Sequence, residues 1–252
     1  MREGFYGSVC ILLPFLGTVL GAATVFLLRR KPKPQLEKAL LGFSSGVMLA
    51  AMVWSLLIPA MEMAEAQGTR LWIPAAGGFL AGVGSLLLLD KWLLRAQKNT
   101  DCGSMLALAV TLHNLPEGMA VGVALAGMLS GEGLMSLAGA AALSLGIAVQ
   151  NVPEGAIISS PLAAAGKGKL RAFAAGALSG AVEPVGAVLT LLLTRQLAVA
   201  LPYVLAFAAG CMLYVVVVEL VPEAARDGES DAGAIGAALG FAAMMLLDVL
   251  FG

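Results

Sequence analysis

Charge is scarce in this chain. Asp, Glu, Lys and Arg make up 12% of its 252 residues, about half of the ~25% usual in soluble domains. Hydrophobic residues make up 60%, and mean hydropathy is +0.92. This composition excludes a soluble globular domain and points to an integral membrane protein. Cysteine is almost as sparse: Cys10, Cys102 and Cys211 lie far apart and form no CxxC pair, so neither a disulfide framework nor a zinc knuckle is suggested. There is one histidine, His113, and no HExxH, so the His-rich ligand set of typical zinc hydrolases cannot be built. No stretch is long or polar enough for a separate soluble domain; the net charge of −1 is uninformative about partners, and no nucleic-acid partner is expected.

What is present is a series of apolar runs. The first, from Phe5 to Leu28, exceeds the ~7–15 residues of a signal-peptide core and has Arg2 offset by Glu3. Arg29-Arg30-Lys31 follows at once as a stop signal, so the run reads as a retained membrane helix. With ~20 apolar residues needed per crossing, residues 1–252 form a single all-α domain of eight transmembrane helices at roughly 5–28, 37–61, 72–94, 104–128, 133–162, 170–194, 201–222 and 233–251. The fifth is overlong and contains Pro153 and Pro161, which predicts a kink or an extension past the bilayer. Twelve of the fifteen Lys and Arg fall in loops after spans 1, 3, 5 and 7, the exceptions being Arg2, Arg70 and Arg195. Because cytoplasmic loops are enriched in basic residues, both termini are expected on the non-cytoplasmic side of the cell (inner) membrane. The 31 glycines, often beside alanine, fit helices that approach closely.

Against this background two polar frames stand out. His113-Asn114-Leu115-Pro116-Glu117-Gly118 lies in span 4, and Gln150-Asn151-Val152-Pro153-Glu154-Gly155 lies 37 residues on in span 5. An ionised Asp at the bilayer centre costs roughly 2.5–3.5 kcal/mol, and a Glu a similar amount. A bound cation would offset that cost in both frames. His113 and Glu117, four apart, share one helix face, as do Gln150 and Glu154. Pro116 and Pro153 withhold an N–H from the carbonyls of Leu112 and Val149. His113 lies about ten residues into its span, ~15 Å of rise and about half of a ~30 Å core. The antiparallel partner brings Gln150 and Glu154 to a similar depth, so an imidazole, carboxylates and amides can converge at the midplane. That mixture suits a first-row divalent ion. Glu183-Pro184 adds a carboxylate beside a helix break in span 6. Met48 offers a thioether in span 2, although most methionines simply fill space. Glu219 and Asp248, near span ends, read as snorkelling or interfacial residues.

His-Asn-x-Pro-Glu-Gly in span 4, Gln-Asn-x-Pro-Glu-Gly in span 5 and an intramembrane Glu-Pro in span 6 resemble the ZIP (Zrt/Irt-like) divalent metal transporters, and the GufA-type branch in particular. The resemblance extends over all eight spans. It implies a 3+2+3 bundle with inverted outer triplets around spans 4 and 5. It also implies metal flow toward the cytoplasm by an alternating-access, elevator-like movement of spans 1, 4, 5 and 6 against spans 2, 3, 7 and 8. By position it implies a first metal site of His113, Glu117, Gln150 and Glu154 lined by Met48. A second site would use Asn114, Asn151 and Glu183 and share Glu117 and Glu154. The chain departs from the common pattern at Gln150, where many members have His, and at Asn151, where many have a carboxylate. The His-rich loop between spans 3 and 4 found in many members is absent, since residues 91–102 contain no histidine.

The function expected is therefore transport of a divalent cation, Zn²⁺ foremost and also Fe²⁺, Mn²⁺ or Cd²⁺, with no prosthetic group and no enzymatic activity. The expected partners are the ion, the lipid bilayer and a second copy of the chain. Two alternatives belong to other classes. One is an intramembrane metalloenzyme. The other is a metal-binding structural membrane protein whose polar motifs join helices, a role for which three buried glutamates are poorly chosen.

Overall fold

Inside a bilayer no water is available to the backbone, so an apolar run satisfies its N–H and C=O groups internally by becoming a helix. The computed structural model describes residues 2–27, 33–96, 102–129, 136–164, 166–194, 198–226 and 230–251, with side chains throughout except at 2–4, 93–96, 102–113, 161, 164, 194 and 198. Among the described residues there is no strand. Span 1 is α1 (Arg2–Leu27), and span 2 runs from α2 (Pro34–Ala51) into α3 (Ile58–Ala66). Spans 3, 4 and 5 are α4 (Trp72–Ala96), α5 (Cys102–Leu129) and α6 (Leu137–Ala164). Span 6 joins α7 (Lys169–Ser179) and α8 (Val182–Thr194), span 7 joins α9 (Leu201–Val215) and α10 (Val221–Ala224), and span 8 is α11 (Ala232–Phe251). Among the described residues seven helical segments are long and apolar enough to cross a membrane. The eighth, α5, is helical over 28 residues, of which Asn114–Leu129 form its described apolar part.

Two of the expected irregularities take a different form. Pro116 and Pro153 sit inside helices that continue through them. At 28 residues, or ~42 Å of rise, α6 is longer than the ~30 Å core. The real departures from α geometry are two π turns, Met52–Leu57 in span 2 and Val216–Leu220 in span 7. Each ends just before a proline, within Leu57-Ile58-Pro59 and Leu220-Val221-Pro222. Proline has no N–H to offer the carbonyl four residues back. The residue before it reaches one step further: the N–H of Ile58 donates to Val53 O, and that of Val221 to Val216 O.

The packing of the spans repeats with opposite sense. Span 1 lies along span 5 and span 6 along span 4, while span 2 lies along span 8 and span 7 along span 3. Exchanging 1 with 6, 2 with 7, 3 with 8 and 4 with 5 maps this arrangement onto itself and pairs the two spans that carry the π turns. This is the 3+2+3 order with inverted outer triplets. Exposed Trp72 and Trp92, 65% and 63% accessible, stand at opposite ends of α4. Their separation of ~30 Å along the helix matches the bilayer core, with indole rings at both interfaces. Leu80 and Leu88 between them also face outward.

Glycine divides the bundle into two bodies. A methyl group on Gly155 would overlap the carbonyl of Thr18, one on Gly118 that of Glu183, and one on Gly176 would press on the carbonyl of Gly155 at 3.0 Å, which together fasten spans 1, 4, 5 and 6. In the same way Gly240 abuts the carbonyl of Phe43, Gly210 that of Phe79 and Gly233 that of Ala224, which links spans 2, 3, 7 and 8. Gly17, Gly21 and Gly122 make the same kind of close backbone contact within the first group, and Gly46, Gly82 and Gly236 within the second. Across the seam Gly146 meets only the thioether of Met244, a flexible side chain.

Candidate metal site

At mid-depth α5, α6 and α8 carry most of the polar residues buried near the seam. Glu117 is 1% exposed, and Asn114, Gln150, Asn151 and Glu183 are fully buried. Glu183 owes its position to the break in span 6, where the chain turns at Gly180-Ala181 and restarts as α8. Its carboxylate thus stands in the first helical turn, where the positive end of the helix dipole favours negative charge. Close contact at Gly118 draws α5 onto this turn and brings Asn114, one turn earlier, within reach of Glu183.

The hydrogen bonds have a consistent pattern. Gln150 Nε2 donates to Glu117 Oε1 at 2.6 Å. Asn114 Nδ2 donates to Glu183 Oε1 at 3.1 Å and to the carbonyl of Ser179 at 3.2 Å. Thr18 Oγ1 donates to the same Glu183 oxygen at 2.8 Å. Asn151 Nδ2 donates to the carbonyl of Pro14 at 3.4 Å. Each amide nitrogen and one oxygen of each of these two carboxylates is thereby engaged. The other oxygens, Glu117 Oε2, Gln150 Oε1, Asn114 Oδ1, Asn151 Oδ1 and Glu183 Oε2, are buried without a protein partner. A buried acceptor left unmade costs about 1–3 kcal/mol. Five of them in one region, with the donors already engaged, form an environment that a cation satisfies and a hydrogen-bond donor network does not.

Glu154, one turn beyond Gln150, is half-buried. It lies within electrostatic range of Glu117, Glu183 and Glu219. Asn151 stands beside both Glu117 and Glu183. His113 belongs to α5, one turn before Glu117, but its side chain is outside the described residues. Met48 is buried on α2, one turn after Ser44. Ser44 Oγ in turn donates to the backbone carbonyl of Gln150 at 3.0 Å, reaching the site from across the seam. Among the described residues no three His, Cys, Asp or Glu side chains are close enough to cage an ion by themselves. What converges instead is carboxylate interleaved with amide.

Three residues were not singled out by sequence reasoning. Thr18 and Ser44 are lone hydroxyls in apolar helices, common enough to carry no signal by themselves. The third is Ser55, which donates to Asp248 Oδ1 at 2.6 Å while Asp248 Oδ2 is buried and unpartnered. Asp248 therefore turns into the protein and does not snorkel to the interface as expected.

Residues 96–248 match the family model described as ZIP Zinc transporter. The chain is 36% identical to the zinc transporter GufA of Myxococcus xanthus over 98% of this chain and 99% of the relative. It is 35% identical to the zinc transporter ZIPB of Bordetella bronchiseptica over 94% of this chain and 79% of that one. It is 33% identical to the zinc transporter ZIP11 of Xenopus tropicalis, over 96% and 98% respectively. Paired Asn-x-Pro-Glu-Gly frames, membrane-spanning helices with inverted outer triplets and this breadth of similarity agree: the chain is an integral membrane protein belonging to the ZIP family of zinc transporters.

Proposed function

We propose that this chain acts as a single membrane domain carrying divalent cations, Zn²⁺ foremost and Fe²⁺, Mn²⁺ or Cd²⁺ as related cargo, toward the cytoplasm. The ion binds among His113, Glu117, Gln150 and Glu154, with Met48 at its edge. A second position is formed by Asn114, Asn151 and Glu183 and shares the two central carboxylates. The observation that carries this reading is the group of five buried, unpartnered oxygens, which supplies coordination at a depth where water is absent.

Movement follows the seam. Spans 1, 4, 5 and 6 travel as one body against spans 2, 3, 7 and 8 and carry the site from one side to the other. The close glycine contacts within each group, with the flexible Met244 side chain meeting Gly146 at the seam, support this division. Both termini lie on the non-cytoplasmic side, a reading supported by the basic residues clustered in the opposite loops. Zn²⁺ uptake by purified protein in liposomes, compared with Glu117→Gln, tests the proposal. The substitution is nearly isosteric and removes a buried charge, so the fold is expected to hold while uptake is lost. Uptake at the rate of the unsubstituted protein would overturn it.

A further inference from the structure

We propose that Thr18 is a positioning residue for transport, fixing the Glu183 carboxylate so that one oxygen is anchored and the other is presented to the cation. This rests on the reading of Glu183 as part of the second position. Thr18 is fully buried on α1, and its Oγ1 reaches Glu183 Oε1 at 2.8 Å across 165 residues of sequence. Asn114 Nδ2 meets the same oxygen at 3.1 Å. Two donors from two helices on one oxygen define the carboxylate plane. Oε2 is then directed away from both, buried and without a partner.

The surroundings of Thr18 suit this task. One turn before it on α1, the carbonyl of Pro14 accepts from Asn151 Nδ2, so the same helix face orients two residues of the second position. A methyl group at Gly155 would overlap the Thr18 carbonyl, and one at Gly180 would meet the Thr18 side chain at 2.7 Å. The hydroxyl is thus held between α6 and the break in span 6, with little freedom to turn elsewhere. Thr18, Glu183 and Asn114 all belong to the same glycine-fastened body. Their bonds are therefore kept when that body moves, and their contribution falls on affinity and leaves the rate of movement alone. An unanchored carboxylate samples other rotamers, and if the presented one falls to about a tenth of the population, apparent affinity falls about tenfold.

The test is Zn²⁺ uptake and equilibrium Zn²⁺ binding by full-length protein in liposomes carrying Thr18→Val, Thr18→Ser, Glu183→Gln, or Thr18→Val with Glu183→Gln. Thr18→Val keeps the shape and loses the hydroxyl; KM and the dissociation constant are expected to rise about tenfold with kcat within about twofold. Thr18→Ser keeps the hydroxyl, loses the methyl and is expected to restore affinity. In the Glu183→Gln background Thr18→Val is expected to add nothing further. A packing role gives the reverse order, with Val tolerated and Ser impaired, and that result overturns the proposal. Should Thr18→Val fail to fold, Thr18→Ala replaces it, and equal affinities for Ala and Ser overturn the proposal equally. Normal Zn²⁺ binding by Glu183→Gln overturns the assignment of Glu183 itself. An impaired Glu183→Gln beside an unaffected Thr18→Val overturns only the role of Thr18.

Discussion

Glu117 and Gln150, on neighbouring antiparallel helices, are joined by a 2.6 Å hydrogen bond from Gln150 Nε2 to Glu117 Oε1. The bond leaves one bare oxygen on each residue, Glu117 Oε2 and Gln150 Oε1, both buried. Gln150 therefore keeps a free oxygen, its proposed ligand atom, and also holds its neighbour's carboxylate.

Gln150→Leu removes both contributions. Glu117 loses its donor in a dry interior, which costs about 1–3 kcal/mol. A lower unfolding temperature and a Zn²⁺ dissociation constant at least about tenfold higher are expected, an affinity loss of about 1.4 kcal/mol or more. Thermal unfolding and equilibrium binding in detergent measure the two effects separately.

Asn151→Asp acts in two directions. The substitution loses the donor to the Pro14 carbonyl and sets a carboxylate oxygen against it, so the metal-free protein is expected to be less stable. It also adds a fourth carboxylate beside Glu117, Glu154 and Glu183. Two dications repel by ~4 kcal/mol per unit-charge pair at 4 Å and an effective dielectric of 20, which three carboxylates offset less well than four. The bound Zn²⁺ per chain, measured by titration or anomalous scattering, is expected to rise toward two.

Ser44 bridges the seam through its bond to the Gln150 carbonyl. The proposed movement of the two bodies would break this bond, and Ser44→Ala removes it without orphaning the carbonyl, which remains in the α6 ladder. A typical hydrogen bond contributes about 0.5–1.5 kcal/mol, so maximal uptake is expected to rise about two- to tenfold with little change in KM. Initial-rate uptake over a range of Zn²⁺ concentrations gives both constants.

Gly118→Ala forces apart α5 and the start of α8, because the added methyl falls on the Glu183 carbonyl. Overpacking of this kind costs about 1–3 kcal/mol, and here it also displaces a proposed ligand. Loss of stability and of Zn²⁺ binding together are expected. Gly84→Ala is the control, since nothing lies within 4 Å of its added methyl, and it is expected to leave both unchanged or slightly improved.

Acidification is expected to weaken Zn²⁺ binding. As proposed ligands, Glu117, Glu154 and His113 would bind either the ion or protons, so metal binding would release protons and affinity would fall as pH falls. A drop of about tenfold between about pH 7.5 and about pH 5.5 is the scale expected from competition by one group titrating in that range. Isothermal titration in buffers of different ionisation enthalpy measures both the affinity and the protons released.

What could be read from the sequence followed from contrast. Glu117 and Glu154 are visible because carboxylates are expensive in apolar runs, and Glu183 because a proline follows it. The small-residue content foretold close helix contact, but only folded geometry assigns Gly155 to Thr18 and Gly118 to Glu183. Thr18 and Ser44 were illegible because a hydroxyl can bond its own helix and costs little there. The π turns leave the apolar pattern intact, so nothing around Pro59 or Pro222 in the sequence pointed to them. Asp248 was misjudged because distance from a span end does not say which way a side chain faces, and Ser55 decides that.

The two π turns also bear on descent. Each interrupts its helix at the same step before a Leu-(Ile/Val)-Pro sequence, in triplets that cross the bilayer in opposite directions. One three-span unit carried twice in opposite orientation, the internal repeat common among secondary transporters, accounts for both turns and for the residues they share.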